Sequence, residues 1–270
     1  MWRNFLILGT ILIAFSCQPK SETQTTEYHL PERPNLYDEV DLEEWLLYKD
    51  FTTHTINDPV RKQKATYAGT SFNEILLEVY GQKVLDSLKN DCVLEIICAD
   101  GYAPQADIQA LLDNEGYITT HELDDEENEV AFPKNYRPYY LIWTNTVSTS
   151  DVPWPYGVVS MRLVNLSVQK EYLLPVENAI AKAGLGKFKK HCIKCHAVNG
   201  IGGIMGPELN YPRNITQFFQ RDSLYSFVTN PQAFRYNSPM PRVENLSKKD
   251  FAEILAYFDY IKEYPKLHTE

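Results

Sequence analysis

The spacing of apolar residues changes three times along this chain. Phe5 to Phe15 is almost unbroken apolar sequence, "FLILGTILIAF". Gln18 to Asn35, "QPKSETQTTEYHLPERPN", is polar and holds three prolines. From about Asp41 to Gln169 short apolar runs alternate with turn signals. In "DLEEWLLYKD", Leu42, Trp45 and Leu46 fall at helical spacing. "SFNEILLEVYGQKVLDSL" breaks near Gly81 and resumes at Val84, Leu85 and Leu88, which predicts a strand or helix, a break, and a short helix. "CVLEIICADGYAP" is β-branched and apolar and ends in an Asp-Gly turn, so it reads as a buried strand. "ADIQALLDNEG" predicts a helix closing at Gly116, and "YYLIWTNT" and "GVVSMRLVNL" predict two further strands. The acidic Glu122–Glu129 stretch, "ELDDEENE", reads as a solvated loop; its spacing does not match an EF-hand loop.

Beyond Pro175 the period becomes helical. "VENAIAKAGLGKFKKHC" is rich in alanine and lysine. "LSKKDFAEILAYFDYIK" (Leu246–Lys262) has Ser247 as N-cap with Asp250 three residues on, and Phe251, Ile254, Tyr257 and Phe258 on one face. The pattern predicts a multidomain chain: a β-rich α+β domain over 41–170 and an all-α domain over 175–266.

Charge supports the same division. Residues 171–270 carry 13 Lys+Arg and 10 Asp+Glu, while residues 1–170 carry 13 and 26. The overall net charge of −10 argues against nucleic acid as a partner. The first apolar run, eleven residues after Arg3, is too short for the about 20 that cross a bilayer, and suits a secretory signal. It ends in "IAFSC", which resembles the lipobox of bacterial lipoproteins. That resemblance implies lipid on Cys17, a signal peptide over 1–17, and export to the periplasmic face of a membrane, anchored rather than spanning. An ordinary signal peptide cut nearby is the alternative. Residues 18–40 then read as a flexible tether.

The chemistry concentrates in "HCIKCH", residues 191–196. A structural zinc site needs four ligands, and no second pair follows. A thioredoxin-like motif belongs beside a βαβ pattern, whereas this one follows a basic helix. Cys-x-x-Cys-His is a c-type haem attachment signal: Cys192 and Cys195, at i and i+3 of a helical turn, can both form thioethers, and His196 can reach the iron.

The segment Pro175–Lys266 resembles class I cytochrome c. Gly184 and Phe188 match that family's N-terminal helix, Gly206, Pro207 and Leu209 its "GPxL" loop, and Leu246–Lys262 its C-terminal helix. The resemblance implies one covalent haem c. It implies iron ligation by His196, whose orientation is fixed by the Pro207 carbonyl, and by Met240, seven residues before Ser247; Met205 competes for that sixth position. Ile193, Ile201, Ile204, Leu209, Phe218, Phe219, Leu224, Phe227, Val243 and Ile254 are candidate pocket walls. Lys187, Lys189, Lys190, Lys194 and Arg242 are candidates for a ring of cations facing redox protein partners.

"CADGYAPQADIQALL", "PYYLIWTN" and "WPYGVVSMRLV" resemble the later half of the sulfite-oxidase-like molybdopterin-binding domain. That family's metal-ligating cysteine lies further upstream than Cys92 or Cys98, which implies a cofactor-free version here. A disulfide between those two is excluded on one strand: six residues at about 3.3 Å span roughly 20 Å, while bonded Cα atoms lie within about 7 Å. The expected function is single-electron transfer by a non-enzymatic carrier. The alternative is the haem subunit of a molybdenum-dependent oxidoreductase, and a third possibility makes the acidic domain an electrostatic dock for the basic one.

Overall fold

The computed structural model describes residues 34–173 and 177–264. Cys17, the expected signal peptide, most of the tether, and residues 175–176 and 265–266 of the expected second domain lie outside the described residues.

The first half is built on one antiparallel sheet. Its strands are β1 (Val40–Asp41), β2 (Thr52–Asp58), β3 (Gln63–Ser71), β4 (Cys92–Cys98), β5 (Gln105–Asp107), β6 (Gly116–Leu123), β7 (Glu129–Ala131), β8 (Tyr139–Trp143) and β9 (Tyr156–Asn165). The spatial order is β2-β3-β6-β8-β9-β4-β5, with β1 added on β9 and β7 on β6. Short helices α1 (Leu42–Leu46), α2 (Phe72–Val79), α3 (Gln82–Leu88) and α4 (Ile108–Leu112) share its core. Asp41, Ser71 and Asp107 cap α1, α2 and α4 through their side chains. Phe72 of α2 meets Trp143 of β8 edge to face, ring centroids 6.4 Å apart. Buried Asp58 accepts the hydroxyls of Tyr67 at 2.7 Å and Tyr140 at 3.0 Å, so this charge is fully engaged inside the sheet.

Of the strand or helix expected before the break, the structure has a helix, α2, followed by the break at Gly81 and the short helix α3. Three expectations change. Gly116 opens β6 instead of closing α4, because the Trp143 ring lies where a Cβ would be, 2.7 Å away. The acidic stretch is the expected exposed loop only over Asp124–Asn128, with Glu122 and Leu123 in β6 and Glu129 in β7: the Asp124 carboxylate accepts the amides of Glu126 and Asn128, and the Asn128 bonds hold it below the usual carboxylate range. The tether ends before residue 40, since Val40 is buried and pairs with Met161.

Helix α5 (Leu166–Leu173) leads out of the sheet, and Leu173 already belongs to a second apolar cluster. That cluster draws most on α9 (Lys248–Ile261), with Ala181 and Phe188 of α6 (Ala179–His191), Leu224 of α7 (Arg221–Thr229) and loop residues Ile193, Val198 and Ile201; the short α8 (Pro231–Phe234) follows α7. Asn178 caps α6, and Ser247 with Asp250 forms a reciprocal capping box on α9. The two helices cross at Gly184, where a Cβ would meet the Glu253 carbonyl oxygen at 1.9 Å. One turn further on, Phe188 packs edge to face on Phe258 at 5.5 Å and tilted on Tyr257 at 6.1 Å. Among the described residues, no helix is long and apolar enough to cross a membrane.

The crossing predicts opposite outcomes for two glycines of one helix. Gly184→Ala should lower unfolding free energy by about 2–3 kcal/mol through overpacking. Gly186→Ala, with nothing within 4 Å of the added carbon, should raise it by about 0.5–1 kcal/mol through helix propensity. Urea denaturation of both variants checks this.

Candidate functional site

The Cys-x-x-Cys-His segment continues α6 as one helical turn. The Cys192 and Ile193 amides donate to the Phe188 carbonyl at 2.8 and 3.1 Å. The Cys195 and His196 amides then donate to the Cys192 carbonyl at 3.0 and 2.9 Å. The anchoring of Phe188 in the second core therefore sets where this turn begins. Cys192 and Cys195 are unbridged and half-buried. Burial pushes the Cys192 thiol up to about 12 and also raises that of Cys195.

The chain next reverses at Asn199–Gly200, both at positive φ, with Val198 and Ile201 exchanging two main-chain bonds of 3.0 Å. It returns alongside the motif: Gly203 donates to the Ile193 carbonyl and Gly206 to the Cys195 carbonyl, each at 2.7 Å, and Leu209 donates to Ala197 at 3.0 Å. This return brings the Pro207 carbonyl to 2.9 Å from His196 Nδ1. A carbonyl only accepts, so Nδ1 carries the proton and Nε2 keeps its lone pair. A Cβ on residue 206 would meet His196 Cε1 at 2.3 Å, so glycine there is what lets the ring lie against the loop. Burial lowers the His196 pKa, while the Pro207 bond acts in the other direction. The imidazole is thus held neutral, in the tautomer a metal ligand requires.

The residues fit a covalently attached haem. Two sulfurs sit one helical turn apart, the adjacent imidazole has its free nitrogen defined, and the next loop accommodates that ring. Pro239 and Pro241, which flank Met240, line the same cleft of about 1180 Å³ as Ile193 and Cys195. The loop carrying Met240 is held by Gln232, whose amide donates to the Met240 carbonyl at 2.9 Å. Met205 itself borders that cleft, whereas Met240 is represented there only by its two neighbours; Met205 precedes Gly206, on the loop that lies against His196. Among the described residues, no three His, Cys, Asp or Glu side chains are grouped to hold a bare metal ion.

Of the expected pocket walls, Ile193, Ile201, Leu224 and Ile254 are buried in the second core. Ile204 is 80% exposed, and Phe218 and Phe219 are also exposed. The Asn214 cap on the 3-10 turn Ile215–Gln217 places Phe218 just beyond that turn, where the Arg213 guanidinium lies over its ring at 4.7 Å. The expected lysine ring is largely engaged within the chain. Lys187 pairs with Asp250 and Glu253, Lys189 bonds Gln169, and Lys194 lies over the Tyr102 ring.

The residues missed from sequence are buried amides. Asn199, Asn210 and Asn214 form a file: Asn210 donates to Asn199 at 2.8 Å, and Asn214 donates to Asn210 at 2.7 Å and to the Phe258 carbonyl at 3.0 Å. Glu208 gathers the amides of Asn199, Gly200, Asn210 and Tyr211. This network fastens the His196 loop to the end of α9. Its only trace in the sequence is a density of asparagines, which ordinarily signals exposed turns.

A helical domain carrying a Cys-x-x-Cys-His turn and a preset imidazole defines a haem-binding class of protein. Residues 181–262 match the family model Cytochrome c. The match supports a C-terminal cytochrome c domain and a haem-containing electron-transfer protein, with covalently bound haem c implied by that family. No curated protein and no solved structure matches the chain.

Glu208→Gln should test the loop network. The substituted amide must set its NH2 group against the amides that the carboxylate now accepts, which should cost about 1–3 kcal/mol. Chemical denaturation should register the loss, and amide exchange should accelerate across residues 199–211.

Proposed function

We propose that this protein is an exported, lipid-anchored c-type cytochrome carrying one haem, which passes single electrons between redox proteins and is not itself an enzyme. The observation that carries the reading is the His196 bond to the Pro207 carbonyl, one residue past the two cysteines. In this reading Cys192 and Cys195 would be the covalent tethers, and His196 and Met240 would hold the iron. The Pro207 carbonyl holds the proton at Nδ1 and so leaves Nε2 free as a ligand. Haem so held would supply a one-electron iron couple, whose potential a methionine ligand raises. With both side chains on the iron, no position would be left for a substrate, which favours a carrier.

The location rests on sequence. The signal-like run and "IAFSC" support lipid at Cys17 and a position on the periplasmic face of a bacterial membrane. The first domain is read as a cofactor-free domain of the sulfite-oxidase-like kind. Its described thiols, Cys92 and Cys98, are buried along β4 within the apolar core of the sheet.

The test is optical. After expression with haem maturation, the reduced protein should show a c-type α-band, and the oxidised protein a weak near-infrared sulfur–iron band. Met240→Ala should abolish the near-infrared band and leave the α-band. Survival of the near-infrared band in that variant would move the sixth ligand to another residue.

A further inference from the structure

The first domain contributes a rigid turn to the haem-attachment loop. At the end of β4 the ladder with β9 shifts register between Ile97 and Cys98, and the chain folds into a turn over Cys98–Tyr102. The Cys98 amide donates to the Tyr102 carbonyl and the Gly101 amide to the Cys98 carbonyl, both at 2.9 Å. The Asp100 carboxylate accepts the Tyr102 amide at 3.0 Å, and Gly101 sits at φ +84°. The turn is therefore fixed from within its own domain.

It docks through main-chain atoms. The Gly101 carbonyl accepts the amides of Ile204 at 2.9 Å and Met205 at 3.1 Å, and the Ala103 amide donates to the carbonyl of Lys194, inside the Cys-x-x-Cys motif, at 2.8 Å. A Cβ at Gly101 would meet Ile204 Cγ1 and the Met205 nitrogen at 2.8 Å, so only glycine allows this approach. Ile204 and Met205 lead directly into Gly206 and Pro207, whose side of the loop holds His196. A second link joins the domains nearby: buried Glu95 accepts Gln105 at 2.8 Å, Gln105 accepts Gln169 at 2.7 Å, and Gln169 accepts Lys189 of α6 at 3.4 Å.

Resting on the haem reading above, we propose that the Asp100–Ala103 turn is a positioning element for the iron ligand. It grips both strands of the attachment loop from outside the cytochrome segment and so holds the Pro207 carbonyl against His196. The first domain thereby acts on the redox centre without carrying a cofactor. Charge contrast between the domains allows an ionic dock; this grip runs through peptide groups, whose geometry is far stiffer than that of paired surface side chains.

The test uses the full chain matured with haem, as wild type, Gly101→Val and Asp100→Ala. Wild-type amides of Ala103, Ile204 and Met205 should be protected from hydrogen exchange, and Gly101→Val should lose that protection. At one fixed ambient potential near the wild-type midpoint, Gly101→Val should change the ratio of reduced to oxidised haem by about fivefold or more, the low end of coupling between sites. Asp100→Ala, which only loosens the turn, should shift the ratio in the same direction by less, and it decides alone if Gly101→Val fails to fold. Folded, haem-loaded variants with an unchanged ratio would overturn the positioning role. Wild-type amides that exchange as freely as open loops would overturn the docking. Absence of a c-type band in the wild-type protein would instead overturn the haem reading, and the positioning role with it.

Discussion

The organisation of the second domain depends on how closely α6 and α9 approach. At Gly184 the carbonyl of Glu253 occupies the space of a side chain. Contact this close lets Phe188 reach Tyr257 and Phe258 in the middle of the core. Because the Phe188 carbonyl accepts the amides of Cys192 and Ile193, the position of that residue fixes where the cysteine-bearing turn starts. Packing between two helices thus determines where the chemistry sits, although none of the packing residues carries chemistry itself.

From that turn onward, main-chain geometry dominates. The loop over 193–209 is laced by amide–carbonyl pairs on its inner side, by Glu208 and three buried asparagines on the α9 side, and by the Gly101 turn on the sheet side. Such bonds have narrow distance and angle limits, and leaving buried partners unmade is costly. The His196 imidazole, hydrogen-bonded to the Pro207 carbonyl of this loop, inherits the loop's rigidity. The acidic sheet domain, which sequence alone leaves without a role, becomes one of three supports around the same loop.

Much of this was legible from spacing. The strand over Cys92–Cys98, the breaks at Gly81 and after Asp100, and the caps Ser247 and Asp250 all follow from local rules that the tertiary structure respects, while Gly184 at the helix crossing came from the resemblance to class I cytochrome c. What was not legible depends on partners distant in sequence. Gly116 looks like a helix stop until Trp143 is seen lying over it. Asn199, Asn210 and Asn214 look like turn residues until α9 closes over them. Lys187, Lys189 and Lys194 look like free surface charge until Asp250, Gln169 and Tyr102 meet them. The grip of Gly101 on Ile204 joins main-chain atoms of two domains, and no residue pattern encodes such a contact.

Covalent tethering of haem at Cys192 and Cys195 can be read from intact and peptide mass spectrometry of the full chain produced with haem-maturation machinery. Tethers at these residues should add the mass of one haem to the peptide that holds both cysteines. Unmodified mass there, with both thiols free to react with an alkylating agent, would show that they hold no haem.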